Sequence, residues 1–206
     1  MSDKIILLLY NIICDIVMVY VGILFGGILM KEELGSVVVK KEEIEEMVEK
    51  LAKQISIDYK DKELVLVGVL KGGFVFLADL MRKLTIPVGI DFISVSSYGS
   101  STDSSGIVKI AKDLDIDIKD KHVMIVEDIV DTGLTLRHLK DIFTTREPKS
   151  VKICTAFDKP ARRKEQITVE YVGIQVPDKF LVGYGLDFDE RNRSLPYVRE
   201  IHIDKE

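Results

Sequence analysis

Tryptophan is absent from this chain of 206 residues, histidine occurs three times and cysteine twice, at Cys14 and Cys154. Two cysteines so far apart cannot make a disulfide framework, which excludes a stapled secreted scaffold and fits a reducing compartment. His122, His138 and His202 stand apart from one another and from the cysteines, so zinc-ligand spacing is lacking and each reads as a surface or partly buried side chain. An excess of positive charge is lacking too. Lys and Arg total 29 against 34 Asp and Glu, a net charge of -5, with no basic stripe interleaved with aromatics. Composition therefore gives no general attraction to nucleic acid or to acidic membranes, and any anion site must be local. Internal repeats and low-complexity tracts are missing as well, and the length suits one substantial core.

What the chain does have is one long apolar run, IILLLYNIICDIVMVYVGILFGGIL at residues 5–29. At ~1.5 Å per residue it is long enough to cross a hydrocarbon core of ~30 Å. Asn11 and Asp15 weaken that reading, because an Asp near the centre of a spanning helix costs roughly 2.5 to 3.5 kcal/mol. A cleaved secretory signal fits poorly, since Lys4 alone makes the positive flank and no small-x-small site follows. Three readings stay open: a dispensable extension ahead of Met30, a membrane anchor, or a helix packed on the domain or between subunits. The composition turns abruptly to Lys31-Glu32-Glu33 after Met30, so residues 1–29 are set apart as an extension and residues 30–206 as the domain.

Beyond Met30 helical and strand-like patterns alternate, as in an α/β domain. Ile44, Val48, Leu51, Ile55 and Tyr59 recur at steps of three and four within 41–60, which predicts an amphipathic helix. Residues 64–70, LVLVGVL, form a continuous apolar run of the kind found in a central parallel strand covered on both faces. A helix follows Lys71-Gly72-Gly73, with Leu77, Leu80, Met81 and Leu84 expected on its inner face. Residues 90–96, 123–126 and 151–157 read as further strands, and Leu136, Leu139, Ile142 and Phe143 as the buried side of a helix starting at Thr135. The stretch from Ser97 to Gly106 has almost nothing apolar to bury and reads as a mobile surface loop, with a wide hairpin turn as the alternative. Short strand-like pieces within 169–206 predict a smaller subdomain beside the main sheet.

Ligands of open α/β sheets bind beyond the carboxyl ends of strands, at the loops leading into helices. One such loop is Val126-Glu127-Asp128-Ile129-Val130-Asp131-Thr132-Gly133-Leu134-Thr135. Two hydroxyls and the free backbone N-H groups of a helix start converge there on the positive end of a helix dipole, which makes a phosphate cradle. Gly133 permits the close backbone approach that a phosphate demands. Asp131 and Thr132 as ordinary helix caps would explain one or two of these residues, but not the cluster. Glu127 and Asp128, adjacent acceptors at a strand end, suit ribose hydroxyls beside their own phosphate with a magnesium ion close by.

On these residues the chain resembles the type I phosphoribosyltransferases. From about Met30 onward it is similar to their bacterial hypoxanthine-guanine branch. Four blocks carry the likeness in order: Leu70-Lys71-Gly72-Gly73, Ser97-Tyr98-Gly99, Val126 to Thr135, and Asp178 to Asp187. The resemblance implies a central, mainly parallel sheet flanked by helices, with a small hood built from N- and C-terminal segments. It implies purine salvage: transfer of the phosphoribosyl group of phosphoribosyl pyrophosphate to hypoxanthine or guanine, giving IMP or GMP and pyrophosphate, with Mg2+.

By position it assigns Glu127 and Asp128 to the ribose hydroxyls and Asp131 through Thr135 to the 5-phosphate. Leu134 stands where some relatives have lysine, so no charge is inferred there. Asp131 becomes the general base that takes a proton from the purine imidazole nitrogen. Lys71 and Gly72 become the pyrophosphate loop, with a cis peptide expected between Leu70 and Lys71. Ser97 and Tyr98 become a lid, and Arg193 a pyrophosphate contact. Lys159 faces the 6-oxo group, Phe180 stacks on the purine, and Leu181 reads its edge. Glu127, Asp128 and Asp187 are the metal carboxylates. Without the likeness, Lys159 would read as one member of a solvated basic run and Phe180 as an ordinary buried aromatic. A cytoplasmic homodimer or homotetramer is implied, with membrane contact only through residues 5–29. Two other readings remain: a relative preferring xanthine, and a regulatory protein of the same fold that senses phosphoribosyl pyrophosphate.

Overall fold

The computed structural model describes residues 32–97 and 108–203. Residues 5–29 and the break at Met30 lie outside the described residues, as do Tyr98 and nearly all of the expected lid. The architecture below is that of Leu34–Ile201, which make one compact unit. In chain order it is built from β1 (Glu32–Val39), α1 (Lys41–Asp58), β2 (Leu64–Leu70), α2 (Gly73–Lys83), β3 (Val88–Ser97), β4 (Val108–Lys112), β5 (His122–Val130), α3 (Leu134–Thr144), β6 (Ser150–Asp158), β7 (Tyr171–Gln175), β8 (Leu181–Val182) and β9 (Val198–Ile203). A short 3-10 turn, Pro160–Arg162, follows β6.

The main sheet has six strands in the order β4-β3-β2-β5-β6-β7. All neighbours are parallel except β3 and β4, which pair antiparallel with Ser97 opposite Val108. The stretch read as a mobile loop or wide hairpin turn lies almost wholly outside the described residues.

The continuous apolar runs are explained by burial on both faces. Alternate side chains of a strand point to opposite sides, and two separate cores result. Leu64, Leu66, Met124, Val126, Cys154 and Ala156 pack with α1 and α2, while Val65, Val67, Val69, Val123, Ile125 and Ile153 pack with α3. Each fully buried Val, Leu, Ile or Met side chain among them contributes roughly 1.5–3 kcal/mol. Helix α1 starts where the backbone N-H of Lys40 donates to Glu43 Oε2 at 2.9 Å, and its inner stripe runs from Ile44 to Ile55. Among the described residues no helix is long and apolar enough to cross a membrane.

Three expectations change. In α2 the buried stripe is Phe76, Leu77 and Leu80, whereas Met81 is 42% exposed. Residue 81 lies one step round the helix from 80, beyond the arc the sheet covers. Strand β5 runs through the acidic pair to Val130 instead of stopping at residue 126, because β6 continues to pair with it as far as Val130 opposite Asp158. Finally, β7 extends the main sheet beside β6, and only β8 and β9 join β1 in the separate three-stranded sheet. That sheet is the small hood. The Arg199 guanidinium ties it together by donating to the carbonyls of Leu34 and Gly35.

Candidate active site

Strands β2, β5 and β6 end on the same edge of the sheet, and the chemically distinctive residues gather beyond those ends. Two adjoining cavities lie there. One, of 190 Å³, is lined by Glu127 to Gly133 with Thr135 and Leu136. Gly133 has φ +83° and α3 begins immediately after it, so the helix N-terminus opens onto this space. Leu134 does not line the cavity; its backbone N-H donates to Thr132 Oγ1 at 3.4 Å.

The basic turn after β6 holds this loop from behind. Arg163 donates to the Asp131 carbonyl at 3.0 Å and pairs with Asp158. The Thr132 carbonyl accepts from the N-H groups of Lys164 and Glu165 at 2.9 and 3.1 Å. The basic run is therefore more than a solvated face.

The second cavity, of 240 Å³, is lined by Asp128, Ile129, Asp131, Lys159, Arg162, Phe180, Leu181, Leu186 and Asp187. Lys159 is only 6% exposed, and its Nζ donates to the Lys179 carbonyl at 2.8 Å. One donor is anchored, so the remaining ammonium hydrogens are left for another acceptor. Phe180 is 48% exposed and meets Phe188 edge-on at 5.5 Å. It is a presented aromatic, not the ordinary buried one. The two cavities share Asp128, Ile129 and Asp131, so one ligand can place a phosphate in the first and a planar ring in the second.

Burial pushes the Glu127 carboxyl well above the usual carboxylate range, and the charge of Asp128 beside it adds to the effect. Burial raises Asp128 as well, opposed in part by the Arg193 guanidinium. Both carboxylates therefore stand to gain from a cation or from hydroxyl donors. Gly72 lies against this pair: a Cβ there would meet Asp128 Oδ2 at 1.6 Å. The Leu70–Lys71 peptide that precedes it is cis, as expected.

Asp131 is flanked by a residue the sequence did not single out, Arg162, whose Nε lies 3.4 Å from Asp131 Oδ1 and 3.9 Å from Asp178 Oδ1. Glu190 was missed as well. Its carboxylate pairs with Lys71 at 2.9 Å and with Arg193 at 3.2 Å, while Arg193 also meets Asp187 at 2.9 Å. Lys71 and Arg193 line neither small cavity; they meet each other through Glu190. Arg162 pairs with Asp131 and Glu190 with Lys71, residues brought close by the fold, and the sequence offers no signal for either beyond a charge near a suspected segment.

Ser97 closes β3, but its side chain and all of Tyr98 lie outside the described residues. Among the described residues no group of three or more His, Cys, Asp or Glu is positioned to hold a metal, so Glu127, Asp128 and Asp187 do not form a ready-made centre. The oxygen donors present nevertheless fit magnesium, which takes one or two carboxylates and fills the remaining positions with water and substrate oxygens. A separate cavity of 720 Å³ between α1, α2 and residues 193–196 is not this site; it reaches neither the acidic pair nor the cradle.

The phosphoribosyl transferase domain family matches residues 37–189. Over 179 residues the chain is 44% identical to the hypoxanthine phosphoribosyltransferase of Haemophilus influenzae, covering 85% of this chain and all of that one. It is 46% identical over 170 residues to the hypoxanthine-guanine phosphoribosyltransferase of Bacillus subtilis, covering 82% and 94%. Among solved structures, a hypoxanthine-guanine phosphoribosyltransferase from Bacillus anthracis superimposes with a TM-score of 0.78 at 47% identity, covering 84% of this chain and 100% of that one.

Proposed function

The chain belongs to the phosphoribosyl transferase family, and from that premise we propose that it is a purine-salvage enzyme. It transfers the phosphoribosyl group of phosphoribosyl pyrophosphate to hypoxanthine or guanine and yields IMP or GMP with pyrophosphate. The observation that carries this reading is the pair of cavities meeting at Asp128, Ile129 and Asp131, one a phosphate cradle and the other bearing Lys159 and Phe180.

In this reading the cradle from Asp131 to Thr135 binds the 5-phosphate through backbone N-H groups and the hydroxyls of Thr132 and Thr135. Glu127 and Asp128 accept from the ribose hydroxyls. The base lies against Phe180 with its edge along Leu181, and its 6-oxo group accepts from Lys159. Asp131, at the junction, takes the proton from the imidazole nitrogen as the bond from the base to the anomeric carbon forms and the bond to pyrophosphate breaks. Lys71 and Arg193 bind the departing pyrophosphate, and Gly72 leaves room for Asp128 beside that loop. Glu127, Asp128 and Asp187 would hold a magnesium ion, which when bound would supply charge neutralisation for the leaving group. Ser97 and Tyr98 close over the site and exclude water, which protects an anomeric centre with oxocarbenium character.

Adenine fits poorly, because its exocyclic amine would face the donors of Lys159. Residues 30–206 make up the catalytic domain and residues 1–29 the extension. The enzyme acts in the cytoplasm as a homodimer or homotetramer, a setting in which the buried, free thiol of Cys154 stays reduced.

Incubation with magnesium, phosphoribosyl pyrophosphate and hypoxanthine, guanine, xanthine, adenine or uracil tests the proposal. Pyrophosphate release is expected with the first two. Turnover confined to xanthine would move the assignment to another 6-oxopurine, and no turnover with any base would overturn it.

A further inference from the structure

The assignments above leave Glu190 without a role, although it is tied to both cations assigned to pyrophosphate. Its Oε1 lies 2.9 Å from Lys71 Nζ and its Oε2 3.2 Å from Arg193 Nη2. Lys71 and Glu190 are 119 residues apart in sequence, so this is a tertiary contact with no helical-neighbour explanation. The glutamate is aimed by its backbone. Its N-H donates to Asp187 Oδ2 at 2.9 Å, and Asp189 and Glu190 both hold positive φ, 48° and 64°. Arg193 is fixed independently, through Nη1 to the Gly185 carbonyl at 2.8 Å and Nη2 to Asp187. One carboxylate thus offers one oxygen to each of two cations. A diphosphate would make the same arrangement with the same two groups.

We infer that Glu190 is an internal counter-anion of the diphosphate site, pairing with Lys71 and Arg193 in the ligand-free protein and yielding them when a diphosphate enters. This rests on the assignment of Lys71 and Arg193 to pyrophosphate. Because the competitor is tethered beside the site, it acts at a fixed effective concentration. It lowers apparent diphosphate affinity by the fraction of molecules in which the cations are free. Lys71 and Glu190 are 65% and 61% exposed, so water and salt screen the contact and its effect is modest. One or two such pairs correspond to about three- to tenfold in affinity. Ligands that carry no diphosphate escape the competition.

The test is calorimetric binding to the full chain of phosphoribosyl pyrophosphate with magnesium and, separately, of IMP, which lacks the diphosphate. Glu190→Gln is expected to tighten phosphoribosyl pyrophosphate by about three- to tenfold and to leave IMP unchanged. Lys71→Gln is expected to weaken phosphoribosyl pyrophosphate, and the gain from Glu190→Gln should shrink when the two are combined. Equal or weaker phosphoribosyl pyrophosphate binding by Glu190→Gln, with Lys71→Gln still weakening it, would overturn the counter-anion role while the pyrophosphate loop stands. Equal tightening of both ligands would reduce the effect to general electrostatics and overturn it too. If Lys71→Gln binds phosphoribosyl pyrophosphate as the unaltered protein does, the loop assignment itself falls, and the inference with it.

Discussion

Asp131 is the residue whose role depends most on where two cavities meet. Asp131 lines both, and the Nε of Arg162 lies 3.4 Å from its Oδ1. Asp131→Asn keeps the shape but cannot take the proton from the base. We therefore expect kcat to fall by roughly 10² to 10⁴, the usual scale of a lost general base, with phosphoribosyl pyrophosphate affinity little changed. Steady-state kinetics checks this, and an unaltered kcat would remove Asp131 from the role. Lys159→Gln separates base recognition from sugar-phosphate recognition. Hypoxanthine and guanine should lose ground against adenine while phosphoribosyl pyrophosphate binds as before, because Lys159 lies in the base cavity and not in the cradle. The reverse pattern would contradict the assignment. At this scale the sequence was informative where the chemistry is local: Glu127, Asp128 and the loop from Asp131 to Thr135 are contiguous, and their types alone suggest sugar and phosphate. The pairings Arg162 with Asp131 and Glu190 with Lys71 were not legible, because nothing in spacing says which distant charges a fold brings together.

Among the elements, those buried on two faces were the most readable. The run Leu64 to Leu70 and the core of β5 appear where the apolar pattern puts them, since a strand covered on both sides must be apolar at every position. Strands β1 and β4 escaped notice because they are mixed in polarity, and β7 was placed with the wrong sheet because a five-residue strand carries no signal of its neighbour. The joint between the pyrophosphate loop and the hood is an element-scale feature of the same kind. Gly185 has φ +97°, and a Cβ there would stand 2.3 Å from the Gly72 carbonyl oxygen, a backbone atom that cannot swing aside. Gly185→Ala must therefore separate the two segments. We expect a loss of about 1–3 kcal/mol in unfolding free energy, measured by urea titration. A larger fractional loss of phosphoribosyl pyrophosphate affinity than of IMP affinity should accompany it, since Arg193 is anchored to the Gly185 carbonyl. Stability equal to that of the unaltered chain would show that the joint gives way freely.

Across the whole molecule, chemistry and stability sit at opposite ends of the sheet. The candidate site lies beyond the carboxyl ends of the parallel strands, whereas Tyr59 packs near their starts, against His122 at the head of β5 and Tyr171 at the head of β7. Burial pushes the Tyr59 hydroxyl from 10.0 up to about 12, and raises Tyr171 above its ordinary range as well. A phenol that ionises less readily when folded keeps its proton in the native chain and releases it from the unfolded one between those two values. Its contribution to stability is complete below pH 10 and is lost as pH rises through about 12. The Tyr59 contribution to the unfolding free energy should therefore be level up to pH 10 and then decline. The share of Tyr59 is about 1 kcal/mol once solvent screening is allowed for. Urea midpoints across the alkaline range, compared for the unaltered chain and Tyr59→Phe, measure that share. The phenylalanine variant should show the shallower decline, and identical slopes would mean that Tyr59 titrates alike in both states. Because this cluster touches neither cavity, the kinetic constants of Tyr59→Phe at neutral pH should match those of the unaltered chain, separating the fold's alkaline limit from the chemistry at the other end.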